Sequence, residues 1–92
     1  MSDGLPFSVT VEIVGFTEPT TFASLFDALD VLRVGLAVLP LDAEQAACLA
    51  GRFGPWAAGE IAHRLYHFGA VGAVAFVGLD AHPIYVRRAA LE

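Results

Sequence analysis

The sequence predicts an α+β domain of two layers, an antiparallel sheet of three to four strands with three helices on one face, in the order β-β-α-α-α-β-β. Three observations carry this expectation. Residues Phe7 to Val14 alternate apolar and polar; Leu25, Leu29, Leu32 and Leu36 recur at helical spacing; and Ala70 to Val77 is an unbroken apolar run directly after a glycine.

In the first strand Phe7, Val9, Val11 and Ile13 fall on one side and Ser8, Thr10 and Glu12 on the other, the period-two pattern of a half-buried strand. Gly15 to Pro19 supplies turn residues, and the β-favouring Thr20, Thr21 and Phe22 return as a short second strand. Ser24 caps a first helix, with Asp27 in the first turn where a carboxylate complements the positive helix end. Its leucine stripe faces the core, and Asp27, Asp30 and Arg33 face away. Val34 to Leu39 suits either the end of that helix or an extended segment, and Pro40 stops both.

Asp42 followed by Gln45 resembles a capping box opening a second helix from Ala43 to Phe53. Gly54 suits a left-handed cap and Pro55 the first position of a third helix, so helices two and three are expected as a tight antiparallel hairpin. The third helix buries Ile61, Leu65 and Phe68, and Gly69 ends it. The Val-rich run Ala70 to Val77 then reads as a fully covered central strand, a neighbour of the first strand in the sheet. Gly78 to Pro83 turns the chain, and Ile84 to Arg88 closes a hairpin as the last strand.

The 92 residues suit one domain spanning 1–92, with residues 1–5 expected to be flexible and Leu91-Glu92 resembling a cloning remnant. Hydrophobic residues make up 57% and charged ones only 16%, more apolar side chain than one small core uses. The longest uncharged stretch, Leu65 to Leu79, has 15 residues and falls short of the roughly 18–20 that a spanning helix needs. The surplus therefore points to a second apolar surface buried against another copy or a partner, not to a membrane.

Ten acids against five arginines give a net charge of −5, which disfavours nucleic acid and anionic membrane surfaces as partners. No basic leader precedes an apolar run, so the expected location is cytoplasmic. The lone Cys48 makes no internal disulfide and fits a reducing compartment. The absence of Lys and Asn, with abundant Ala, Gly and Leu, fits a GC-rich bacterial genome.

Candidate chemistry is sparse. Trp56, Glu60, His63 and His67 fall within about 60° of one another on an ideal helix, opposite Ile61 and Leu65. His63 and His67 are spaced to share a metal ion, but they are half of a tetrahedral set, so the face reads as solvated or as a partner surface centred on Trp56, with no metal or cofactor expected. Cys48 falls between Glu44 and Arg52 and is expected level with Glu60 and about a turn from His63 across the hairpin. Tyr85 and Arg87 share one face of the last strand, where they either hold a carboxylate or phosphate or guard a sheet edge against unwanted pairing.

Together these features describe a small acidic, non-catalytic interaction module, homodimeric, that binds a protein partner or small ligand through Trp56, Glu60, His63, His67, Tyr85 and Arg87. The alternative is a small-ligand enzyme with a pocket between helices and sheet that uses Cys48, His63 or Arg87. It is disfavoured because no motif brings an acid, a base and a nucleophile together.

Overall fold

The computed structural model describes residues 7–89, so the expectations for residues 1–5 and for Leu91-Glu92 concern positions outside the described residues. The elements are β1 (Val9–Ile13), β2 (Thr20–Phe22), α1 (Leu25–Ala37), α2 (Ala43–Phe53), a 3₁₀ turn (Pro55–Ala57), α3 (Ala58–Phe68), β3 (Ala70–Val77) and β4 (Asp80–Arg88). The four strands form one sheet in the order β2-β1-β4-β3, with every neighbour antiparallel. This is the expected two-layer α+β fold.

Several local signals that act within a turn or two behave as the sequence predicts. The Ser24 hydroxyl accepts from the Asp27 amide at 3.5 Å, and Asp42 Oδ1 accepts from the Gln45 amide at 2.7 Å, each satisfying an amide that the helix start leaves unpaired. Leu25, Leu29, Leu32 and Leu36 are all buried, joined by Ala28, so the α1 stripe packs whole against the sheet. Helix α1 continues to Ala37, which settles the Val34 to Leu39 segment as mostly helical. Gly69 ends α3 in a left-handed conformation, its amide donating to Leu65 O at 3.0 Å.

The β3–β4 connection is tighter than expected. Val77 pairs with Asp80, which leaves only Gly78 and Leu79 in the turn, and Gly78 has φ +63° with no positive φ at Leu79. That is the type II′ geometry whose first central position calls for glycine. Strand β4 accordingly starts at Asp80 and not at Ile84, carrying Pro83 inside it. Proline has no N–H for the ladder, and the vacancy falls where β1 ends: Val14 N donates to Pro83 O at 2.9 Å, while Val14 O accepts instead from His82 Nδ1 at 2.9 Å.

Four other expectations are corrected. Strand β3 is an edge strand bonded to β4 alone, and β1 neighbours β2 and β4, so β1 and β3 do not pair. Its side chains alternate, with Val71 and Ala75 buried while Ala70, Gly72, Val74 and Phe76 face outward; an all-apolar run conceals that alternation. Gly54 is extended (φ −71°, ψ 167°) rather than left-handed, and Pro55 opens a 3₁₀ turn, so α2 and α3 meet chiefly through that turn, and both pack against α1. Phe68, expected in the core, is 78% exposed because α3 stops there and Gly69 redirects the chain.

Between the layers, Val9, Val11, Ile13, Ile84 and Val86 from the two central strands meet the α1 leucines, Phe53 of α2, and Ile61 and Leu65 of α3. Among the described residues no helix is long and apolar enough to cross a membrane.

Candidate functional site

The register of the sheet determines what its outer face displays. Val11, Val86 and Val71 are aligned across three strands, as are Ile13, Ile84 and Ala73, and all of them point at the helices. Their neighbours must point away. Thr10 lies opposite Arg87, Glu12 opposite Tyr85, Gly72 opposite Tyr85, Val74 opposite Pro83 and Phe76 opposite Ala81.

The outer face thereby divides in two. Toward β2 it is polar: the hydroxyls of Thr10 and Thr21 lie 2.8 Å apart, and Arg87 Nη1 donates to Glu12 Oε1 at 3.4 Å. Toward β3 it is apolar, with Tyr85 40%, Val74 44% and Phe76 52% exposed. A Cβ at Gly72 would meet Tyr85 Cδ1 at 4.0 Å, an ordinary contact, which places the tyrosine ring alongside β3 at this position. Tyr85 and Arg87 do share this face as expected, but β4 is an interior strand, so Arg87 does not guard an edge. Its carboxylate partner is Glu12 of the same chain, a residue recognisable from the sequence as outward-facing but not as a neighbour without the β1–β4 register.

The edge of β3 is attended by α2. Gln45 Nε2 donates to Phe76 O at 2.9 Å and Gln45 Oε1 accepts from Phe76 N, so one carboxamide occupies the place of a neighbouring strand's peptide. Two turns further along α2, Arg52 Nη2 donates to Gly72 O at 3.0 Å. The Asp42–Gln45 pair is thus only half a capping box, because the Gln45 side chain leaves its own helix to bind the sheet. Cys48 is exposed beside a shallow hollow of about 400 Å³ lined by Asp42, Glu44, Gln45, Val74 and Phe76. Glu60 instead lines a smaller recess of about 150 Å³ with Arg52 and Arg64, so Cys48 and Glu60, expected level with one another, border different recesses.

The α3 cluster separates into three partnerships. Trp56, 75% exposed, belongs to the 3₁₀ turn, and its Nε1 donates at 3.0 Å to Gly51 O, one of the carbonyls left over at the end of α2. Its ring lies so close over Gly54 that a Cβ there would fall 2.4 Å from it. Glu60 accepts from Arg64 Nη2 at 3.0 Å. His63 and His67 face each other with ring centres 4.3 Å apart, and Tyr66 meets His67 edge-on at 5.3 Å. Among the described residues no three His, Cys, Asp or Glu side chains converge to hold a metal ion.

One further recess, missed in the sequence, lies between α1 and α2. It is a groove of about 270 Å³ walled by Leu36, Ala37, Leu41, Ala46, Leu49 and Ala50, with Arg33 at its rim tied to Asp30. Cys48 at the strand edge, His63 on the solvent side of α3 and Arg87 on the outer sheet face stand on three different surfaces. The molecule is thus defined as a two-layer α+β chain with an open, half-apolar sheet face. No family model matches it, and neither a curated protein nor a solved structure does.

Proposed function

We propose that the chain is a cytoplasmic, non-catalytic interaction module that acts as a homodimer, with the apolar half of the outer sheet face as its coupling surface. The observation that carries this is the adjacency of Tyr85, Val74 and Phe76 on neighbouring strands, half-exposed on a sheet whose other face packs against the helices. Charge favours a second copy as the occupant. The molecule carries −5, but on this sheet face the ionised side chains are Glu12 and Arg87, which neutralise each other. Two copies can therefore meet across the strands with little net charge, the acids nearest the patch being Asp42 and Glu44 at its α2 border.

Size sets the expected strength. Nine residues of β4 at about 3.3 Å each and four strands about 4.8 Å apart make a face of roughly 30 by 15 Å. Because β1 and β2 are shorter than β4 this is an upper bound, and it lies below the roughly 800 Å² per partner of a standard interface, in the size class of weak, transient contacts. Sheets packed face to face sit about 10 Å apart, a separation that interdigitating Phe76, Val74 and Tyr85 side chains fill.

Light scattering on the full chain from about 1 to 300 μM tests the reading, a span chosen to bracket a micromolar constant. The expected result is a mass rising toward twice 9.7 kDa, and a return to the monomer in Phe76→Glu with an unchanged circular dichroism spectrum. A monomer mass throughout, or a dimer equally stable in Phe76→Glu and Val74→Glu, would overturn it. A complex formed only with another protein would place a different occupant on the same face.

A further inference from the structure

We infer that His63 and His67 form an open two-imidazole chelate for a divalent transition ion of the class that imidazole prefers, Zn²⁺, Ni²⁺ or Cu²⁺. The site lies on the helical layer, away from the outer sheet face, and does not depend on the dimer. Helical geometry supplies the first condition, since residues four apart stand one above the other on the same face. The rings already meet, with centres 4.3 Å apart and planes inclined at 51°. Metal–nitrogen bonds of about 2.0–2.1 Å at a tetrahedral angle need nitrogens about 3.3 Å apart, which tilted rings at this spacing reach by a small side-chain rotation.

The second condition is that the nitrogens are not committed elsewhere. Neither ring has a hydrogen bond or ion pair to another described residue, and Glu60, the carboxylate on that side of α3, is held by Arg64 at 3.0 Å. His82 provides the contrast. Its Nδ1 is bound to Val14 O, and its ring packs against Phe16, so it is a structural histidine and not a free ligand. The net charge of −5 favours a cation at either place, but only the α3 pair offers two donors to one ion.

Two protein ligands leave at least two coordination positions to water, so the ion would exchange readily and would not be part of the folding nucleus. This agrees with a chain whose core is built without any ligand cluster, and it distinguishes the pair from a structural zinc site, which supplies four ligands. Within the class, copper(II) should bind most tightly, as expected for nitrogen donors across the first transition row.

The test uses the tag-free full chain carrying Cys48→Ser, so that the exposed thiol contributes nothing, titrated calorimetrically with zinc chloride and with nickel chloride. One ion per chain is expected, and either His63→Ala or His67→Ala should weaken binding on the order of tenfold to a hundredfold, the loss of a chelate's second arm. In parallel, the ring resonances of His63 and His67 should shift on adding zinc while those of His82 do not, a readout that needs no histidine variant. Undiminished binding in both single variants would overturn the proposal, as would a shift confined to His82 or no ring shift at about 1 mM ion, where even a millimolar site would be half filled. The dimer is read separately by light scattering, so failure of either leaves the other standing.

Discussion

Replacing Gln45 by Ala should loosen α2 from the edge of β3, and the size of the effect follows from the contacts. The carboxamide makes two hydrogen bonds to one peptide group, donating to Phe76 O and accepting from Phe76 N. Each is worth about 0.5–1.5 kcal/mol net, and because both lie at the surface the lower half of that range applies. Alanine returns a few tenths of a kcal/mol through its higher helix propensity, and the Asp42 cap on the residue-45 amide is untouched. The balance is a loss of about 1 kcal/mol, or roughly 4–8 °C in melting temperature for a domain of this size. Thermal unfolding at one fixed protein concentration measures it, and amide exchange locates it, since the Phe76 N–H should lose protection first. Gln45→Glu sharpens the test: it keeps an acceptor for Phe76 N but sets a carboxylate against Phe76 O, and should cost more than alanine at neutral pH. An unchanged melting temperature with unchanged Phe76 exchange, or a glutamate tolerated as well as glutamine, would refute the bridging role.

Other substitutions probe different parts of the fold. Gly15→Ala should destabilise by about 1–3 kcal/mol in urea unfolding, because residue 15 has φ +93° and a Cβ there would sit 2.6 Å from His82 Nδ1, breaking the bond to Val14 O. Leu29→Ala, at a fully buried position at the centre of the α1 stripe, should cost about 2–5 kcal/mol by the same measurement.

What was legible in the sequence is what is decided within a few residues. The α1 stripe, both side-chain caps and the Gly69 stop depend on neighbours three or four positions away, and each is found as expected. Strand order depends on contacts between distant segments, and there the reading failed for identifiable reasons. In Ala70 to Val77 every residue is apolar, so the period that separates a half-exposed edge strand from a covered central one has no contrast to show it. At Trp56 the error was one of phase. An ideal helix continued back from α3 places Trp56 beside Glu60 and His63, but the 3₁₀ turn winds at three residues per turn and starts from an extended Gly54, which sends the indole toward Gly51 O. Gln45 shows the same limit: its own amide fits the cap, while its side-chain partner lies 31 residues away.

The two edges of the sheet bear on how copies of this chain would meet. Strand β2 has only three residues, and at β3 the peptide groups of Phe76 and the carbonyl of Gly72 are engaged by Gln45 and Arg52 from α2. Short or covered edges are the means by which sheets avoid adding further strands from other molecules. Sideways growth of the sheet, which would propagate from copy to copy, is thereby disfavoured at both ends. The outer face is less guarded on its apolar half, where Tyr85, Val74 and Phe76 are 40–52% exposed and only the start of α2 comes alongside Val74 and Phe76. A face pairing with its own copy is isologous: each surface is consumed by the other and the assembly closes at two. The same alternation that hid β3 in the sequence therefore has a physical consequence, since turning Ala70, Gly72, Val74 and Phe76 outward places part of the surplus apolar surface on the open sheet face, while Phe26, Val34 and Val38 expose another part along α1.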